Sequence, residues 1–269
     1  MRVAVCLHGY YGTVSTGDFS TSTIGFQHIK ETILSKVDNV DFYVHCWQPE
    51  CKKEIVKVYN PVCCEFEEQI DFDKICAENK IYQNYFDEHF PRKKTMYKNA
   101  NASRILSFYY SRCKSLKMSL DKDYDWILTT RFDISARGGK EVNQIRFLID
   151  QDKEYLYTTD WQQKNVGYGD MWFYGSPSIM RRYSDIYTSA LNDFRPLSRY
   201  EKIATTGWPD SNYFNVHDFN DQRQFTNEID KQQKSINLMK FPKWRVTDSH
   251  LYHKWFCMQN GLYEKTRWV

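Results

Sequence analysis

The segment Trp126-Ile127-Leu128-Thr129-Thr130-Arg131-Phe132-Asp133 is an apolar run that ends in a cation and an anion two residues apart. Strand side chains alternate with period two, so Arg131 and Asp133 project from the same side. An arginine so placed can pair bidentately with a diphosphate, and an aspartate can hold a divalent metal that neutralises the same group as it departs. The two residues can equally close on each other as a structural salt bridge. A second candidate is His8-Gly9-Tyr10-Tyr11-Gly12-Thr13. Its glycines let backbone approach a ligand, and the hydroxyls of Thr13, Ser15 and Thr16 can bond phosphate or ribose. The segment contains neither G-x-G-x-x-G nor a Walker pattern, so an ordinary loop explains it as well.

Gly167-Tyr168-Gly169-Asp170 places a carboxylate directly before the apolar run Met171-Trp172-Phe173-Tyr174. There Asp170 can accept a proton from an attacking hydroxyl, or simply cap a turn. His45 and Trp47 end another apolar run. Asn101, Ser103 and Arg104 crowd a helix start, where backbone N–H groups and a guanidinium suit a phosphate and where capping alone accounts for Asn101 or Ser103. His250 and His253 offer a metal ligand, although histidines three apart without an acidic partner are more often surface or core residues.

These residues need a scaffold, and the hydrophobic pattern supplies one. Arg2 to Leu7 reads as a strand followed by a loop rich in Gly, Ser and Thr. Ile24, His28, Ile29, Ile33, Leu34 and Val37 recur at helical spacing, and Val40 to Trp47 is a short β-branched and aromatic run. Pro61 to Phe66 reads as a third strand, and Phe72 to Phe90 as a weak helix closed by Pro91. A long helix opens at Asn101 and carries Ile105, Phe108, Tyr109, Cys113, Leu116 and Leu120 on one face. The strand Trp126 to Thr130 follows, then a short helix over 141–149, strands near Tyr155 to Tyr157 and Met171 to Tyr174, and a helix from Pro177 to about Leu191. The order predicts one α/β domain over residues 1–269, a mostly parallel sheet flanked by helices. The tail from Pro196 to Val269 wraps the sheet. In such sheets ligands sit beyond the carboxyl ends of the strands, where the candidates cluster.

The formal charge of +3, from 37 basic and 34 acidic residues spread along the chain, argues against a nucleic-acid footprint or a polybasic anchor. The absence of any apolar stretch of about 18 residues predicts no membrane span, and Met1 to Leu7 is too short for a signal peptide; a cytoplasmic protein is expected. Eight cysteines lack paired zinc spacings, and Cys6, Cys46 and Cys63 fall in apolar runs, which predicts reduced, buried thiols. Aromatic residues make up 17% of the chain, a supply of faces that stack on sugars and bases or a compositional bias.

Taken in order, Val3 to Gly9, Val40 to Trp47, the helix start at 101–111, Tyr124 to Asp133 and Gly169 to Ser176 resemble the landmarks of small glycosyltransferase-like proteins of bacteria and of large DNA viruses or phages. The likeness covers residues 1 to about 190. Its most specific element is Arg131-Phe132-Asp133, standing in the place of the Asp-x-Asp motif of the glycosyltransferase A fold. The resemblance implies that fold, with residues 1–135 as its nucleotide-binding half and 136–269 as its acceptor half and C-terminal wrap, a nucleotide-sugar donor, a glycan or other hydroxyl acceptor, and a divalent ion such as manganese or magnesium. It implies Asp133 and Asp170 as catalytic carboxylates and Asp133 with His250 as metal ligands. His8, Gly9, Tyr10, Thr13, His45, Asn101, Ser103, Arg104 and Arg131 would then hold the donor. Arg131 occupies the first aspartate's place, so its cation can replace part of the metal's charge. A noncatalytic nucleotide- or glycan-binding protein on the same fold is the alternative.

Overall fold

The first strand, β1 (Arg2–Gly9), is buried along Val3 to His8, as a continuous apolar run in the middle of a sheet should be. Val3, Val5 and Leu7 enter one hydrophobic core, and Ala4 and Cys6 enter a second on the opposite face. The chain is described by a computed structural model over residues 1–12, 17–81, 101–136, 144–159, 168–201, 246–247 and 249–269.

After β1 come α1 (Ser20–Ile29), prolonged by one wider turn through Leu34, then β2 (Asn39–Cys46), α2 (Lys52–Tyr59), β3 (Cys63–Phe66) and α3 (Phe72–Glu78). They are followed by α4 (Ala102–Lys117), β4 (Trp126–Arg131), β5 (Leu156–Thr158), β6 (Trp172–Gly175), α5 (Pro177–Tyr183), α6 (Ile186–Asp193), α7 (Ser249–Gln259) and β7 (Thr266–Trp268). The seven strands form one sheet in the order β3-β2-β1-β4-β6-β5-β7. β6 runs antiparallel to both its neighbours while every other pairing is parallel. The expected α/β architecture, a mostly parallel sheet with helices on both faces, is what the chain forms. α1 and α2 cover one face through Ile29, Ile33, Ile55 and Tyr59, and α3 to α7 cover the other. Both cores draw on residues before and after position 135.

Several local expectations need correction. Ile24 is 47% exposed, and the inward face of α1 is Ser22, Gly25 and Ile29. A Cβ at Gly25 would lie 1.9 Å from the carbonyl oxygen of Phe132, so only a residue without one lets this helix meet the turn after β4 backbone to backbone. Of the helix expected over 141–149, residues 141–143 lie outside the described residues, and 144–150 are irregular coil and turn. The helix expected from Pro177 is broken at Ser184 and Asp185 into α5 and α6. α3 stops at Glu78, and the rest of the span to Pro91 lies outside the described residues beyond Ile81. All eight cysteines are free thiols, as expected, but Cys63 is exposed because it starts an edge strand with no sheet neighbour beyond it. From the C-terminal tail, β7 adds an edge strand beside β5, and α7 packs Leu251, Trp255 and Phe256 into the core of the α4 face. Among the described residues most aromatic side chains are structural: Trp126, Trp172, Trp255 and eight tyrosines are among the largest fully buried side chains. No helix among the described residues is long and apolar enough to cross a membrane.

Candidate functional site

The carboxyl ends of β1, β2 and β4 open onto a cleft of about 600 Å³. β1 and the loop after it supply His8, Gly9, Tyr10 and Gly12; β4 and its turn supply Arg131 and Asp133; the first two turns of α4 supply Arg104, Ser107 and Phe108. Trp47, Gln69 and Thr21 complete the wall. Gly9 sits at φ +100°, a left-handed conformation that favours glycine, where the chain leaves β1. Its N–H donates to Ser111 Oγ on α4 at 2.9 Å. Gln48, just past β2, clamps the loop: its Oε1 accepts from the N–H groups of Tyr11 (2.6 Å) and Gly12 (3.2 Å), and its Nε2 donates to the Gly12 carbonyl at 2.8 Å. Those two amides are therefore already bonded, and positive charge in the cleft comes from arginines instead. Thr13, Ser15 and Thr16 lie outside the described residues.

Arg131 and Asp133 do project together and close on each other as a bidentate pair, Nε to Oδ1 at 2.7 Å and Nη2 to Oδ2 at 2.6 Å. Their side chains are 25% and 19% exposed. Burial works against the Arg131 charge, but the Asp133 and Asp170 carboxylates outweigh it and raise the guanidinium's pKa. Arg131 is thus a fixed cation with its fork already shaped to a planar or tetrahedral oxyanion.

Other expected residues fall elsewhere. Asn101 caps α4, its Oδ1 accepting from the Ser103 N–H at 2.8 Å and from the Ser103 hydroxyl at 2.6 Å, and neither residue lines the cleft. The His45 ring is buried, with Nδ1 at 2.7 Å from Ser111 Oγ and Nε2 at 2.8 Å from Glu67 Oε1. Burial lowers its pKa, though Glu67 pulls the other way. Asp170 is half-buried and does not line the cleft; its Oδ2 accepts from Ser249 Oγ at 3.4 Å. Burial alone would raise its pKa, but His250, Arg131, His253 and Arg112 together hold it below the usual carboxylate range. His250 Nδ1 lies 2.7 Å from the Tyr168 carbonyl oxygen, which ties the start of α7 to the segment before Asp170.

Sequence reasoning passed over Arg112, the fully buried centre of this region. Its Nε donates to His8 Nε2 (3.2 Å), its Nη1 to Tyr183 Oη (2.7 Å) and His253 Nε2 (2.9 Å), and its Nη2 to the Asp170 carbonyl; Phe108 lies against its guanidinium. These bonds join β1, α5, α7 and the segment just before β6 to α4. They also leave His8 and His253 as acceptors at Nε2, and burial together with Arg112 drives both imidazole pKa values far down. A signal existed: Arg112 lies four residues after Phe108 and four before Leu116, in the apolar stripe of α4.

The implied metal meets a poor fit at Asp133 and His250. Both Asp133 oxygens accept from Arg131, and among the described residues neither Asp133 nor His250 belongs to a group of three convergent histidine, cysteine or carboxylate ligands. No protein-family model, curated protein or solved structure matches this chain, so a functional reading rests on the cleft and its charges.

Proposed function

We propose that the cleft binds the diphosphate of a nucleotide-sugar and that the protein transfers the sugar to a glycan or other hydroxyl acceptor, on a fold of the glycosyltransferase A type. The observation that carries this reading is the presence of Arg104 and Arg131 in one cleft at the carboxyl ends of parallel strands, beside Trp47, Tyr10 and Phe108. Two guanidinium groups suit a diphosphate, and aromatic faces suit a base or a sugar ring. Fixed cations at the leaving diphosphate stabilise charge as it develops, which is the main demand of sugar transfer. Asp170, kept ionised and away from the cleft lining, serves here as the counter-charge that holds Arg131 in place rather than as the base. A divalent ion would reach Asp133 only after Arg131 turns from it toward the ligand.

Nucleoside diphosphates and nucleotide sugars, screened by thermal shift with and without manganese, test the reading. A bound nucleotide at a hundred times its Kd stabilises the fold by about 2.7 kcal/mol, and Arg131→Met or Arg104→Met should abolish that rise. No shift with any nucleotide sinks the proposal. The closed Arg131–Asp133 pair favours one alternative, a noncatalytic nucleotide- or glycan-binding protein. Binding without release of sugar from any donor, manganese present or absent, would select it.

A further inference from the structure

We propose that His45, Glu65 and Glu67 form a binding site for a divalent transition-metal ion of the zinc type, outside the cleft lining and separate from Arg131 and Asp133. His45 on β2 and Glu65 on β3 are direct cross-strand partners in a parallel pair, so they share one face of the sheet. Glu67 follows one residue after β3 ends, two positions from Glu65, and returns to the His45 ring: Glu67 Oε1 is 2.8 Å from Nε2. One ligand atom from each of the three residues lies within 4.8 Å of the others. Zinc takes imidazole nitrogen at about 2.0–2.1 Å and carboxylate oxygen at about 2.0–2.2 Å, which places tetrahedral ligand atoms roughly 3.4 Å apart. The adjustment needed is at most about 1.4 Å, within reach of two glutamates that are 38% and 29% exposed.

The imidazole is the rigid member. Trp47 packs edge-on against it at 4.7 Å and Tyr110 at 5.8 Å between centroids, and Ser111 Oγ holds Nδ1 at 2.7 Å. Ser111 is itself held by the Gly9 N–H. A ring fixed at one nitrogen by a hydrogen bond, with the other turned toward carboxylates, is how proteins orient a metal-binding histidine. With zinc on Nε2, the Nδ1–H donates to Ser111 Oγ, and water fills the fourth position. The local charge also suits a cation: among the described residues, the one lysine paired with either carboxylate is Lys114, whose Nζ is 2.7 Å from Glu65 Oε1. Lys114 is 36% exposed and can swing into solvent when the ion enters. One imidazole and two carboxylates suit zinc better than magnesium or calcium, which favour all-oxygen sites.

The experiment is a calorimetric titration of the EDTA-treated full-length chain with zinc chloride, without nucleotide, with melting temperature as a second readout. One zinc per chain is expected. Glu67→Gln and Glu65→Gln, near-isosteric changes at half-exposed positions whose folding is checked by circular dichroism, should each weaken binding by at least tenfold. Lys114→Ala should tighten it several-fold, because the competing ammonium is gone. Asp133→Ala should bind zinc like the wild type, which separates this site from the nucleotide cleft. Absence of zinc binding in the wild type overturns the proposal. So does zinc binding that survives both glutamine variants, or that disappears only with Cys63→Ser.

Discussion

Gly25→Ala is the most informative single change in this protein, because two physical effects of opposite sign act on it. In an exposed helix, replacing glycine by alanine stabilises by about 1 kcal/mol. Here the new Cβ would stand 1.9 Å from the Phe132 carbonyl oxygen and 3.0 Å from its carbon, and real Cβ contacts do not fall below 3.0 Å. Both neighbours are backbone, so no side chain can rotate away, and α1 must part from the turn after β4 by about 1 Å. Overpacking of this kind costs about 1–3 kcal/mol, more where backbone must move. Because backbone must move, the cost falls in the upper part of that range, so the net expectation is a loss of about 1–2 kcal/mol and a fall in melting temperature of roughly 2–8 °C, allowing about 2–4 °C per kcal/mol for a chain of this size. The displaced residue lies between Arg131 and Asp133, so the same substitution should weaken nucleotide binding and lower turnover by on the order of a hundredfold, as about 1 Å of misplacement does at a positioned group. Urea denaturation and nucleotide titration of the variant check both effects. A Gly25→Ala protein as stable as the wild type, or more stable, would refute the close backbone approach and with it this account of how Arg131 is positioned.

Arg112→Met should destabilise the fold by about 3–5 kcal/mol in denaturant titrations, because it strips donors from Tyr183, His253 and the Asp170 carbonyl and removes a buried cation near the Asp170 carboxylate. Asp193 predicts a pH effect. Burial raises its pKa above the ordinary carboxylate value, although the Tyr252 hydroxyl (2.9 Å) and the Trp255 indole N–H (3.0 Å) both donate to its Oδ2 and pull it down. The folded chain therefore binds the proton more tightly than the unfolded one, so this group's contribution is fully present below the unfolded pKa and is lost as pH rises through the folded pKa. Asp193→Asn keeps the acceptor and removes the charge, so the variant should gain stability relative to the wild type as pH climbs through that window. Urea melts of both proteins across acidic to neutral pH measure the difference, and parallel curves would refute the assignment.

The apolar run within Arg2 to Leu7, the β-branched run Val40 to Trp47 and the apolar stripe of residues 105–120 were legible as strand, strand and helix because burial within a sheet or on one helix face imposes its pattern on the sequence. The same pattern misplaced Ile24 and hid Gly25, since hydropathy reports what prefers to leave water and not where two backbones touch. The edge strand β7 was illegible for a related reason: three residues at a sheet margin carry too little pattern to be read, and they pair with β5, more than a hundred positions away.

At the site, the sequence by itself identified Arg131, Asp133 and the glycine loop as candidates, because charged residues and glycines just beyond apolar runs mark strand ends, where side chains can face a ligand, and Arg104 because it stands at a helix start. Tertiary structure decided how they are used. It closed Arg131 on Asp133, assigned Gln48 to the loop amides and gathered β1, α5, α7 and the segment before β6 onto Arg112. It also set His45 beside Glu65 and Glu67, away from the cleft lining. The physical reason is that hydrogen bonds and charge pairs depend on distances of a few ångströms between residues far apart in the chain, such as His8, Arg112 and His253, and those distances exist only once the two cores have packed against the sheet.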